Sequence, residues 1–170
     1  RPGSASGPLR RPATVTDMRI ALGQLLSTHD SQHNLERVRE LARRAGEDRA
    51  DLLVLPEATM FAFGRSLKDV AEPLDGPWAT AVSELAREHS VAIVAGMTVV
   101  DEHSDKGINT LLVVGADGEL IDTYEKVHLY DAFGFQESAT VAPGDTPVTI
   151  DEFYGPAVFH AVTDTGTDWL

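Results

Sequence analysis

Apolar and polar positions alternate along the chain between short apolar runs and amphipathic stretches. Residues 19–25 (RIALGQL) are a short apolar run and predict a first strand. Over 32–46, Leu35, Val38, Leu41, Ala42 and Ala45 recur at helical spacing while Arg and Glu fill the other face, which predicts a helix. Asp30 or Ser31 can cap it, because a short side-chain oxygen accepts the unpaired amides of a first turn, and Gly46 with the polar stretch after it ends it. Residues 51–56 (DLLVLP) are apolar on both faces, the pattern of a strand buried within an α/β sheet. A second helix over 77–89 starts with Pro77 in its first turn and buries Trp78, Val82, Leu85 and Ala86. Another buried strand follows at 91–97. Residues 109–114 and 119–125 then read as two strands joined by Ala116-Asp117-Gly118, a hairpin signal.

The order strand, helix, strand, helix, strand, strand pair predicts an α/β layered domain with a mixed sheet. No repeat or linker interrupts 18–150. The first seventeen residues differ: they are rich in Pro, Gly, Ser and Arg, lack hydrophobic periodicity, and read as a flexible leader (1–17), with Met18 a plausible natural start.

Composition narrows the function classes. The 170 residues suit one domain or a large piece of one, and 42% hydrophobic content is enough for a sizeable core. A formal charge of −13 argues against a nucleic-acid-binding surface and against docking on anionic lipid. With no cysteine, the chain forms no disulfide and no thiolate metal site. Apolar runs such as 91–97 are too short to span a bilayer, and a soluble, cytoplasmic protein is expected.

Three charged residues carry candidate chemistry. Glu57 directly follows the buried run ending at Pro56, and a carboxylate at the carboxyl end of a buried strand is placed to line a crevice and act as a general base. Lys126 follows the run 119–125 and sits beside Val127 and Leu129, where an ammonium can stabilise a developing oxyanion. The chain holds only three lysines against eleven arginines, so a lysine at a semi-apolar site stands out. Glu137, in GFQES, is the third. Taken singly, each also fits a solvated surface position. Asp101, Glu102, His103 and Asp105 match no calcium-loop spacing and read as a solvated acidic turn, while His128 reads as a packing residue near Lys126. The glycines are scattered and make no phosphate-cradling loop.

Together these segments resemble the nitrilase, or carbon–nitrogen hydrolase, superfamily in its amidase-like branch. The resemblance is carried, in order, by LVLPEA, DGPWATAVSELAREHSVAIVAG, INTLLVVGADGELIDTYEKVHLYD and FQES…PGD, over about 18–151. It implies an αββα sandwich, here incomplete, and a cofactor-free and metal-free Glu–Lys–Cys triad. Carried over by residue, Glu57 matches the general base, Lys126 the lysine that stabilises the tetrahedral intermediate, and Glu137 a second glutamate that orients lysine and substrate. Asn109 and Tyr124 match family positions expected to be structural. Glu57 and Lys126 are expected to converge despite their separation in sequence, with Glu137 close by. The resemblance also implies a small-molecule amide substrate and, for a full-length member, a homo-oligomer.

The pattern breaks at the nucleophile. The family's cysteine is expected near Val162, within Ala161–Thr163, where the chain reads GPAVFHAVTDTGTDWL. The division expected is therefore a leader, a partial hydrolase domain over 18–151 and a divergent tail over 152–170. A changed reading frame or exon, a gene fragment with a divergent end, and a hydroxyl nucleophile at Thr163 or Thr165 are the competing explanations. A hydroxyl is far less acidic than a thiol, which argues against the last. The expected activity is amidase-type hydrolysis of a small carboxamide, with N-carbamoyl or nitrile hydrolysis as alternatives. The 170-residue chain itself is expected to be inactive. The rival reading is a non-catalytic pseudoenzyme or truncation product.

Overall fold

The computed structural model describes residues 18–150 and 157–158. The expected leader and most of the expected tail, Val162 included, lie outside them. Among the described residues, ten strands and two helices follow in order: β1 (Ile20–Leu22), α1 (Ser31–Glu47), β2 (Leu52–Val54), α2 (Pro77–His89), β3 (Ala92–Val100), β4 (Gly107–Val114), β5 (Leu120–Glu125), β6 (Asp131–Ala132), β7 (Phe135–Gln136), β8 (Val141–Ala142), β9 (Thr149–Ile150) and β10 (Ala157–Val158). Short 3-10 turns occupy Leu67–Val70 and Glu137–Ala139.

The main sheet is mixed. β1, β2 and β3 run parallel, each joined to the next by a helical crossover, and β3–β4–β5 continue antiparallel. β8 adds to the start of β4. Gly118, at φ 83, closes the β4–β5 hairpin where the sequence signals it.

Both helices begin as their sequences dictate. Asp30 caps α1 by accepting the amides of Gln32 and His33. Pro77 opens α2, where its missing N–H costs nothing. Val38, Ala42 and Ala45 of α1 and Trp78, Val82, Leu85 and Ala86 of α2 pack on one face of the sheet, against Leu53, Ile93, Ala95, Leu112 and Val114. The other face alternates with it: Leu52, Ala92, Val94 and Val113 form a second cluster with Ile150. Among the described residues this is one helix layer on one sheet of the expected sandwich.

The structure departs from the sequence reading in lengths. β1 is shorter than 19–25. β3 runs on to Val100 and β4 starts at Gly107, because Val99 and Val100 pair with Ile108 and Gly107 across the antiparallel ladder. Polar Thr98, just after the apolar run 91–97, and Gly107 at the head of β4 hide that extension from an apolar-run reading.

Candidate active site

Glu57 leaves the carboxyl end of β2 in a turn that lies against β3. Leu55 N–H donates to the Val94 carbonyl at 2.9 Å and Met60 N–H to the Gly96 carbonyl at 3.2 Å, so both ends of the turn are pinned. Only a glycine fits at 96, since a side chain there would overlap the Glu57 carbonyl. Asn34 of α1, fully buried, donates to the Met60 carbonyl at 2.9 Å and holds the turn from the other side.

Lys126 continues β5 one step beyond its end. Its N–H donates to the Asn109 carbonyl at 2.8 Å and its own carbonyl accepts the Gly144 N–H at 2.9 Å. Glu137 opens a 3-10 turn after the β6–β7 hairpin. Its N–H donates to the Tyr130 carbonyl at 3.1 Å, and the Tyr130 N–H donates to its Oε2 at 2.6 Å. Asp131 supports the same turn by accepting from the Ser138 N–H at 3.0 Å and Oγ at 2.6 Å. Those bonds hold the Asp131 carboxyl below its ordinary value.

The three candidate side chains meet. Lys126 Nζ lies 2.9 Å from Glu57 Oε1, 3.1 Å from Glu137 Oε1 and 3.0 Å from Glu137 Oε2. Lys126 and Glu137 are 5% and 4% exposed, whereas the Glu57 side chain keeps 33%, so the carboxylate of Glu57 is the member that faces outward. Burial alone would push the ammonium's pKa down. The hydrogen bonds and charges of Glu57 and then Glu137 outweigh it, and the pKa is raised above 10.5. The lysine is therefore charged at neutral pH.

Asn109, expected to be structural, reaches into this group: its Nδ2 donates to Glu57 Oε1 at 2.7 Å. The signal for it was a single buried amide on the β4 face that otherwise shows Leu111 and Val113. Tyr124 is buried, and its hydroxyl accepts the Val127 N–H at 3.4 Å. His128 is exposed rather than packed near Lys126: it sits at a bend two residues past the lysine, where regular strand structure has ended. Asp101 organises an exposed turn by accepting from His103 N–H and Ser104 Oγ. Among the described residues no group of three or more His, Asp or Glu could hold a metal ion, and no helix is long and apolar enough to cross a membrane.

The carbon-nitrogen hydrolase family model matches residues 19–166. The chain belongs to the carbon-nitrogen hydrolase family. As a member of this family it is 45% identical over 135 residues to a hydrolase of Mycobacterium tuberculosis, covering 78% of this chain and 48% of that one. It is 34% identical over 146 residues to the omega-amidase NIT2 of Homo sapiens, covering 82% and 52%. Among solved structures, an amidase from a Nesterenkonia species superposes with a TM-score of 0.70 at 28% identity. That superposition covers 84% of this chain and 55% of that one. The chain spans about half the length of the curated relatives it matches.

Proposed function

We propose that this chain carries the base and lysine half of an amidase-type carbon–nitrogen hydrolase site, acting on small carboxamides. The observation that carries this reading is the Lys126 ammonium held between Glu57 and Glu137. In the proposed chemistry Glu57 removes a thiol proton, and the sulfur attacks the amide carbon. Lys126 stabilises the resulting oxyanion by charge. The C–N bond then breaks as Glu57 returns its proton to the leaving nitrogen, and water, deprotonated by Glu57, hydrolyses the thioester. Glu137 orients Lys126 throughout. The amide preference is supported by the omega-amidase relative, with N-carbamoyl and nitrile substrates as the alternatives within the family.

The thiol must come from outside these residues, since none of the 170 is cysteine. That absence favours a second reading, in which this polypeptide by itself binds without turning over. The test is ammonia release from short carboxamides, N-carbamoyl amino acids and nitriles. The 170-residue polypeptide is expected to release none. A longer product of the same gene that supplies a cysteine is expected to release it, and Glu57→Gln to cut the rate at least about a hundredfold, as for other cooperative triads. Turnover by the 170-residue polypeptide that Glu57→Gln abolishes would instead mean a hydroxyl such as Thr163 is the nucleophile. A longer, cysteine-bearing product that turns over none of the panel would sink the amidase reading.

A further inference from the structure

The two oxygens of the Glu57 carboxylate are used unequally. Oε1 receives Asn109 Nδ2 at 2.7 Å and Lys126 Nζ at 2.9 Å. Oε2 has no hydrogen-bond partner among the described residues. Oε1 thus carries both a hydrogen bond and an ion pair, and Oε2 is left over as an acceptor. Asn109 is 5% exposed near the start of β4, where an amide is costly unless it is paired, and Glu57 is the partner its Nδ2 finds. Its carbonyl meanwhile takes the Lys126 N–H at 2.8 Å. One residue thus touches both the base and the strand end that presents the lysine.

We propose that Asn109 is a positioning residue for the base: it anchors Glu57 through Oε1 and thereby leaves Oε2 as the oxygen that takes and returns the proton. The inference rests on the reading of Glu57 as base given above. Lys126, itself held by Glu137, sets little direction on Glu57, because its ammonium acts on Oε1 as a point charge. The Asn109 amide projects from a paired strand on a short side chain and fixes the carboxylate from a second direction. Proton transfer needs that orientation, since a base must sit within hydrogen-bond reach of the proton it removes. In the step itself the S–H electrons stay on sulfur, which forms the S–C bond. The proton resting on Oε2 then passes to nitrogen as the C–N electron pair leaves with it.

The experiment uses isotope-labelled 170-residue chain and reads the three-bond couplings about χ1 and χ2 of Glu57, assigned by their loss in Glu57→Gln. The unmodified chain is expected to give single-rotamer couplings. Asn109→Asp keeps the shape and the backbone bond to Lys126 but replaces the donor with a like charge, and is expected to lose them. Thr98→Ser, at the position paired with Asn109 across β3 and β4, is expected to keep them. From the other partner, Glu57→Ala is expected to abolish slow exchange of the Asn109 side-chain amide proton, which decides the matter even where Asn109→Asp does not fold. Averaged Glu57 couplings in the unmodified chain, retained couplings in folded Asn109→Asp, or an Asn109 amide indifferent to Glu57→Ala would each overturn the proposal. A lower melting temperature with intact couplings also overturns it, because that is what a merely structural residue would show. Failure here leaves the amidase reading standing, since turnover and its loss in Glu57→Gln decide that separately.

Discussion

Gly96 and Glu57 meet backbone to backbone: the Gly96 Cα stands where any side chain would overlap the Glu57 carbonyl, with the Pro56 carbonyl 2.9 Å from the same point. Backbone atoms cannot swing aside as a flexible side-chain end can. Gly96→Ala must therefore push the Glu57 turn off the sheet, and it is expected to destabilise the fold by about 3 kcal/mol, at the upper end of overpacking costs. Urea unfolding measures the loss. A spectrum showing the Glu57–Lys126 pair undisturbed, with stability within about 0.5 kcal/mol of the parent, would contradict it.

Lys126 predicts an alkaline limit to stability. Its pKa in the fold is raised above the 10.5 of a free lysine, so the folded form holds the proton more tightly. The pair's contribution is complete below about 10.5 and is lost as pH rises through the raised value. Comparing urea midpoints of the parent and Lys126→Met across the neutral to strongly alkaline range isolates this contribution: the parent should fall more steeply at the alkaline end. At neutral pH Lys126→Met should cost roughly 3–5 kcal/mol, because it strips the cation from the buried carboxylate of Glu137. Parallel curves would show that Lys126 is not the titrating group.

Glu137→Gln removes one of the two negative charges facing Lys126 while keeping the side chain's size. Losing an opposite charge within hydrogen-bond distance disfavours the ammonium, so the Lys126 pKa is expected to drop relative to the parent. With three lysines in the chain, the side-chain carbon resonances resolve easily in a pH titration. An unchanged midpoint would mean that Glu57 alone sets the charge.

Asn34 predicts a stability loss remote from the charged group. Its Oδ1 accepts the Thr28 N–H at 2.8 Å and Oγ1 at 3.0 Å, and its Nδ2 donates to the carbonyls of Thr28 at 2.8 Å and Met60 at 2.9 Å. Asn34→Ala strips the Thr28 N–H and the Met60 carbonyl of these bonds beside a fully buried position, while the Thr28 carbonyl keeps the Ala62 N–H, at an expected cost of roughly 3 kcal/mol. A cost below about 1 kcal/mol in urea unfolding would show that water reaches the site and replaces the amide.

What the sequence made legible follows from these contacts. Helices, strand order and the β4–β5 turn could be read because each is set by local periodicity, capping and turn chemistry. Glu57, Lys126 and Glu137 could be singled out because each sits at the end of a buried run or within a family motif. The roles of Asn34 and Asn109 were not legible. Asn34 stands in line with the apolar stripe of α1, four residues before Val38, but a polar residue there names no partner, and Asn109 matches a family position that reads as merely structural. Their value lies in partners from other elements, Met60 and Glu57, which no local pattern encodes. The β6–β7 hairpin was missed for a related reason. Two-residue strands carry almost no periodicity, and Phe133 at φ 52 is a backbone state that a bulky residue rarely adopts.

That hairpin stands on a closed base. Lys126 is tied through its N–H to Asn109 and through its carbonyl to Gly144, and Glu137 is latched to Tyr130 by two bonds. The chain between Tyr130 and Glu137 is an excursion whose two feet are fixed together, while Phe133 at its tip is 98% exposed. Residues gained or lost at Phe133–Gly134 change the height of the excursion and leave its footing alone. Length can change there while the lysine and its two carboxylates keep their spacing, so the excursion and the charged group it stands beside are structurally separable.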